Sequence, residues 1–218
     1  MTSAQSGEDG RRRFPGVRAP RPLLSPEAER QLGTRQLQLL DELEEKLLGE
    51  GLADLTMAEI AAFLGCSLRT LYGIAPGKDE LLLMVVDRRL RCIGRAAIEA
   101  LKPSLRPLDA LRKYLQAANE AVQPEVLALS AHLVKVKGAE RLFGSHESYL
   151  TAVTQSLLDQ AVAEGEIAPV DTASVAHVLA SLGREFAQPE VAEAAQASPK
   201  ETADAISDVI LRGLLAKR

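Results

Sequence analysis

The sequence has no tryptophan, and aromatic residues make up only 3% of its 218 residues. Without them the core has to be built from leucine, alanine, valine and isoleucine, which suit packed helices better than strands. No apolar run approaches the roughly 20 residues that a membrane-spanning helix needs. The composition therefore predicts a helical, globular protein with no membrane partner.

Catalytic and metal-binding signatures are also scarce. Cys66 and Cys92 lack CxxC spacing, and the histidines His132, His146 and His177 lack HxxxH or HExxH spacing. The nucleophile motif GxSxG, the phosphate-binding motif GxxxxGK[ST] and the dinucleotide-binding Rossmann motif do not occur. We therefore expect no enzyme, no metal and no cofactor.

The formal net charge is -4, so any basic surface for a nucleic acid has to be local. The opening RRRFPG is similar to a twin-arginine export signal, but no apolar segment follows it. We expect a cytoplasmic protein.

Apolar residues recur at helical spacing along most of the chain. Ser25-Pro26 begins the first helix with Ser25 as its N-cap, and the GEGL stretch at 49–52 ends it. Thr56 and Glu59 form a capping box that opens the next helix. Further helical segments are predicted over 78–101, 108–122, 124–137, 145–164, 171–187 and 199–216, with breaks at Gly138 and Gly144 among others, which gives an all-α fold of about nine helices.

The middle of this series has the spacing of a helix-turn-helix. Ala61 supplies a small residue where the second helix crosses the first, and Gly65 supplies the positive φ of the turn. One face is predicted to be buried, and the outward face of the second helix can donate to bases or phosphates. An ordinary corner between two helices would have the same spacing. The buried face comprises Ile60, Leu64, Leu68, Leu71 and Ile74, and the outward face comprises Ser67, Arg69, Thr70, Tyr72 and Gly73.

Residues from about Leu37 to Met84 resemble the DNA-binding domain of the TetR family of bacterial transcriptional regulators. The matching stretches are LLDELEEKLLGEGLADLTMAEIAAFLGCSLRTLY and GKDELL. The resemblance implies that Tyr72 and Lys78 contact phosphate, Lys78 with help from the helix N-terminus beside it. The residues expected to bind DNA in this domain are Thr56, Ser67, Leu68, Arg69, Thr70, Tyr72, Gly73 and Lys78.

Two features depart from the family pattern. Gly73-Ile74-Ala75 stands where the family usually has His or Tyr and then Phe, which predicts a loosened junction with the next helix. The first long helix is acidic, which would oppose DNA binding if its carboxylates faced the duplex. A helical dimer that has lost specific DNA binding, and serves as a ligand- or protein-binding module, is therefore the alternative function. The acidic residues are Asp41, Glu42, Glu44, Glu45 and Glu50.

Residues 1–24 have little periodicity and are predicted to form a flexible, Arg-rich arm. Arg11, Arg12 and Arg13 are candidates to enter the minor groove, as arms preceding other DNA-binding helical domains do. A solubilising tail with no partner would have the same composition.

The resemblance implies a ligand pocket and a twofold interface in the carboxyl-terminal helices. Candidate ligand contacts are polar residues within apolar helices, and each has an alternative role in the core or on the surface. The last two long helices would form the interface, although an intramolecular core explains the same residues. The ligand candidates are Tyr114, Asn119, His132, Tyr149 and His177, and the interface candidates are Val175, Val178, Leu179, Leu182, Ile206, Val209, Ile210 and Leu214.

We interpret the chain as a homodimeric transcriptional repressor that binds a pseudo-palindromic double-stranded DNA operator. A small apolar or amphipathic effector would release it, acting through the long helix that begins at Lys78. An activator would have the same sequence features. The expected domains are the arm at 1–24, the helix-turn-helix domain at 25–77 and the ligand-binding and dimerisation domain at 78–218.

Overall fold

The computed structural model describes Arg12, Leu133 and residues 14–47, 54–122 and 136–215. Within these ranges the regular structure is helical, apart from one isolated antiparallel bridge between Ile167 and Leu215. The all-α prediction is confirmed. The α-helices are α1 (Pro26–Gln31), α2 (Thr34–Leu47), α3 (Met57–Phe63), α4 (Leu68–Tyr72), α5 (Lys78–Glu99), α6 (Pro107–Ala118), α7 (Ala139–Ala163), α8 (Thr172–Phe186), α9 (Pro189–Ala194) and α10 (Pro199–Leu214), and a 3₁₀-helix (Asn119–Val122) follows α6.

Several helix boundaries differ from the predicted ones. The first predicted helix is split into α1 and α2, because Leu32 takes an extended conformation with ψ of 135° and ends the 6-residue helix that Ser25 caps. The predicted break at Gly144 is wrong, since α7 starts at Ala139, after Gly138 with its φ of 98°, and continues through Gly144. The short helix α9 was not predicted. The GEGL stretch and most of the segment predicted at 124–137 lie outside the described residues.

The described residues divide into two compact units. The helix-turn-helix unit comprises the described residues within Pro20–Arg91 and Pro124–Gly144. The bundle unit comprises the described residues within Met1–Ala19, Cys92–Gln123 and Ser145–Arg218. The helix-turn-helix unit is therefore larger than the domain expected from the sequence, since it extends along α5 and includes the start of α7.

Each unit has its own aliphatic core. The core of the helix-turn-helix unit combines α2 to α5 with three residues from much later in the chain, namely Leu133, Ala139 and Leu142. In the bundle unit, α10 packs against α6 and α8, and Tyr114 is the largest side chain in the core. None of the helices in the described ranges combines the length and the apolar character that crossing a membrane requires.

Part of the expected arm is packed against the protein. Phe14 and Val17 pack on the core of the bundle unit, and Leu24 is only 7% exposed in the core of the helix-turn-helix unit. The N–H of Leu23 donates to Oδ2 of the buried Asp87 at 2.9 Å. The expectation of an arm through residue 24 is therefore wrong at these positions, because apolar residues between the arginines and prolines reach the two cores.

Candidate functional site

The turn between α3 and α4 has the geometry expected of a helix-turn-helix. Ala61 is 3% exposed in the core of this unit, where α3 packs against α4. Gly65 has a φ of 60°, which lets the N–H of Cys66 return to the carbonyl of Ala61 at 2.9 Å. Burial raises the pKa of the Cys66 thiol, so the turn is filled by a neutral thiol and not by a reactive thiolate.

Both helices of the pair begin at a capping residue that was also a candidate for DNA binding. Thr56 and Glu59 form the predicted capping box, and the two hydrogen bonds from Thr56 lower the pKa of Glu59. At the start of α4, Ser67 accepts the N–H of Thr70 at 3.1 Å, and the two hydroxyls lie 2.8 Å apart. These side chains therefore hold the backbone at the helix starts while they remain at or near the surface.

The outward face of α4 carries most of the predicted DNA-binding side chains. Arg69 and Gly73 are exposed, Tyr72 is 54% exposed, and Thr70 is half-buried. Leu71 is fully buried on the opposite face and anchors the helix. The prediction that Leu68 is buried is wrong: it is 40% exposed. Leu68 is the first residue of α4, and helical side chains tilt toward the N-terminus, where no turn of α4 precedes it.

The junction between α4 and α5 is not loosened by the absence of an aromatic pair. Ile74 and Ala75 are 7% and 1% exposed in the core. Their N–H groups donate to the carbonyl of Leu71 at 2.9 and 3.1 Å. Small aliphatic side chains therefore close the junction. Lys78, half-buried, is the first residue of α5 and lies four residues beyond Ile74.

Arginines pair with several of the acidic side chains on α2. Arg88 donates to Glu29 at 2.6 Å and to Asp41 at 2.5 Å. Arg89 lies 3.9 Å from Glu44, whose pKa burial raises. In addition, Arg35 donates to Glu42 at 2.9 Å. Much of the negative charge that counted against DNA binding is therefore neutralised within the unit, whereas Glu50 lies outside the described residues.

Among the predicted ligand contacts, Tyr114 and Tyr149 are neighbours in the bundle unit, and the other described candidates have different surroundings. Burial raises the pKa of Tyr114, which is 2% exposed, with a smaller contribution from the neighbouring Tyr149. The amide of Asn119 donates to Asp204 of α10 at 2.7 Å, so it links two elements of the bundle. His177 is exposed on α8, and His132 lies outside the described residues.

The predicted dimer residues fall into two groups. Leu179 is 2% exposed, and others are half-buried against the bundle core, so these side chains stabilise the single chain. Val178, Ile206 and Val209 are 48%, 37% and 65% exposed on α8 and α10, which pack together. The half-buried residues are Val175, Leu182, Ile210 and Leu214.

Sequence reasoning missed two residues of this unit. Gln36 lies in the first turn of α2, and its Oε1 accepts the N–H of Gly33 at 2.9 Å. A glycine followed three residues later by glutamine is half of a capping box, so this signal was present in the sequence. Arg88 had no such signal, since Glu29 and Asp41 are 59 and 47 residues away.

Comparison with solved structures places this architecture in a known fold. A TetR-family regulator, PfmR from Thermus thermophilus, is 23% identical and covers 82% of this chain and 100% of its own, with a TM-score of 0.57. A TetR regulator from Haloarcula marismortui is 19% identical, with 84% and 100% coverage and a TM-score of 0.69. A regulator from Cytophaga hutchinsonii is 16% identical, with the same coverage and a TM-score of 0.70. The chain has the fold of the TetR-family regulators, so the resemblance is confirmed.

A curated relative is similar in sequence over a shorter stretch. The HTH-type transcriptional repressor DrrR1 from Streptomyces coeruleorubidus is 40% identical over 80 residues, which are 37% of this chain. The match spans 26% of DrrR1, about a quarter of its length. No protein-family model matches the sequence. All four proteins are named as transcriptional regulators and none as an enzyme, which agrees with the sequence analysis.

Proposed function

We propose that the chain is a DNA-binding transcriptional regulator whose recognition helix is α4. The observation that carries the proposal is the exposure of Arg69 and Tyr72 on a 5-residue helix that Leu71 anchors from behind. So short a helix is not stable alone, and its neighbours hold it with its donor-bearing face outward. Arg69 would contact base edges in the major groove, and Tyr72 and Lys78 would contact phosphates.

The proposed regulator acts as a homodimer on an operator with two half-sites. Three exposed valine and isoleucine side chains on the paired helices α8 and α10 support this assembly, namely Val178, Ile206 and Val209. In a dimer with a twofold axis, each copy would bury this face of the other copy. The two recognition helices would then enter successive major grooves.

A small effector would bind within the bundle unit and release the operator, and the regulator would act as a repressor, as the name of the curated relative DrrR1 suggests. Tyr114 and Tyr149 provide hydroxyls next to an aliphatic core. The hydroxyls of Thr154 and Ser207 are buried without a hydrogen-bond partner among the described residues. Neutral hydroxyls in an aliphatic setting favour an apolar or amphipathic effector, since an unpaired buried charge would be costly.

The arm is proposed to add phosphate contacts through Arg11 and Arg13, which lie outside the described residues. Arg12 has another partner, because its Nη2 donates to the carbonyl of Leu105 at 2.7 Å. Arg12 would reach DNA only after this hydrogen bond breaks.

Selection of genomic DNA fragments by the purified chain at moderate salt tests the proposal. We expect an enriched inverted repeat with half-sites about one helical turn apart. Arg69→Ala should cost about 1–3 kcal/mol and relax the preference at one position in each half-site. Lys78→Ala should weaken binding to all sequences alike and reduce the salt slope by about 1. A variant in which alanine replaces Arg11, Arg12 and Arg13 measures how much the arm contributes to the affinity for DNA.

Lys113→Ala is the matched control, because it removes one exposed positive charge from α6 in the bundle unit. It should leave both affinity and preference unchanged. Binding without any enriched motif would support the module that has lost specific recognition. Equal losses for Arg69→Ala and Lys78→Ala, with no change of preference, would show that α4 does not read the sequence.

A further inference from the structure

Gly73, at the carboxyl end of the recognition helix, lies directly against Gln36 of α2. A Cβ at position 73 would lie 2.7 Å from Nε2 of Gln36, 3.3 Å from the carbonyl oxygen of Thr70 and 3.5 Å from that of Arg69. Cβ atoms essentially never approach another heavy atom to 2.7 Å, so any side chain larger than hydrogen would displace the Gln36 amide.

Backbone conformation does not require glycine at this position. Gly73 has φ of -76° and ψ of -11°, in the right-handed helical region that every residue adopts. Alanine is the better helix former, so without a close neighbour it would stabilise the end of α4. The close approach of Gln36 is therefore the feature that distinguishes glycine from alanine here.

The Gln36 amide is itself held in place. Its Oε1 accepts the N–H of Gly33 at 2.9 Å and so caps the start of α2. Leu40 and Leu43, four and seven residues later on the same face of α2, are fully buried in the core. The amide is the far end of a flexible side chain, so a methyl at position 73 would displace it and break its hydrogen bond to Gly33, while the rest of α2 stays fixed in the core.

We propose that Gln36 is a positioning residue for DNA recognition, whose amide sets where the carboxyl end of α4 lies. The inference rests on the proposed function, since it concerns how α4 meets the operator. Gln36 acts through Gly73, against which its amide lies. Displacing the amide with a methyl at position 73, or removing it with Gln36→Ala, would take away this support and let Arg69 and Tyr72 shift relative to the duplex.

A double-mutant cycle tests this role, with Gly73→Ala, Gln36→Ala and the double variant. Fluorescence anisotropy measures affinity for a duplex carrying the repeat that the wild-type chain selects and for a duplex with scrambled half-sites. Gly73→Ala should lower the ratio of the two affinities by about tenfold, the size of one lost base contact. With Gln36→Ala already present, the same methyl has room, and the ratio should change less than about twofold.

Hydrogen exchange at the Gly33 amide provides a readout that does not involve DNA. We expect Gly73→Ala to increase this exchange rate, because the displaced amide no longer accepts the Gly33 N–H. Gly94→Ala is the matched control, since a methyl at this position on α5 would meet nothing within 4 Å. It should change neither the exchange rate at Gly33 nor the affinity ratio.

Three results would overturn the proposal. If Gly73→Ala lowers the affinity ratio equally in the wild-type chain and in the Gln36→Ala variant, Gln36 does not act through Gly73. Faster exchange at Gly33 with an unchanged ratio would mean that the contact exists but does not position the recognition helix. A wild-type chain with no preferred sequence would overturn the proposed function, and the positioning role with it.

Discussion

Replacing Arg88 with alanine should destabilise the helix-turn-helix unit, because this one side chain ties α5 to both α1 and α2. Its guanidinium donates to Glu29 at 2.6 Å and to Asp41 at 2.5 Å, and the Arg88 side chain is only 20% exposed. Hydrogen bonds to charged groups contribute about 1.5–3 kcal/mol each when shielded from water. Glu29 and Asp41 are 38% and 64% exposed, so each pair falls below that range. We expect a total loss of about 2 kcal/mol.

Urea unfolding measured by circular dichroism gives the change in the free energy of unfolding. Arg30→Ala is the matched control, because the Arg30–Glu27 pair has the same chemistry but is 74% and 71% exposed. It should cost less than about 0.5 kcal/mol. A cycle that combines Arg88→Ala with Glu29→Ala should give a coupling energy of about 1 kcal/mol. If Arg88→Ala costs no more than Arg30→Ala, the ion pairs of Arg88 with Glu29 and Asp41 do not stabilise the unit.

Two further predictions concern the bundle unit. Burial raises the pKa of Tyr114, so the folded chain keeps this phenol protonated after the unfolded chain has begun to lose its proton near pH 10. The free energy of unfolding should therefore fall by about 1.4 kcal/mol per pH unit as the pH rises above about 10. Urea unfolding of Tyr114→Phe should lack this contribution. If the free energy of unfolding depends on pH in the same way in both proteins, Tyr114 is not buried. Val209→Glu should convert the proposed homodimer to a monomer in analytical ultracentrifugation without lowering its stability, because Val209 is 65% exposed in the single chain. The control Val191→Glu, 38% exposed on α9, should stay dimeric, and a dimeric Val209→Glu would place the interface elsewhere.

Features that depend on residues close in sequence could be predicted. The Thr56–Glu59 capping box, the cap at Ser67 and the positive φ of Gly65 follow from short-range chemistry, and the structure has all three. The error at Gly144 has a similar local cause. Glycine was interpreted as a helix end there, but it is tolerated within a helix at a cost of about 1 kcal/mol.

Contacts between distant segments could not be predicted in this way. Nothing near Gly73 indicates that Gln36 lies against it, since the two are brought together by the packing of α2. Likewise, the docking of Arg12 on Leu105 joins residues that are 93 positions apart. Periodicity identifies the buried face of a helix, but it does not identify the helix that covers that face.

The core of the helix-turn-helix unit depends on residues that the ribosome adds late. This core includes Leu133, Ala139 and Leu142. The first part of the unit ends at Arg91, so the rest of α5 and all of α6 are synthesised before these three residues. At synthesis rates of 5–20 residues per second, this delay is roughly 2–10 s. During that interval the leucines of α2 and α5 are partly exposed to water, because these three residues have not yet packed against them. The nascent chain is therefore expected to be a substrate for chaperones, and a fragment that stops before residue 133 should be prone to aggregation.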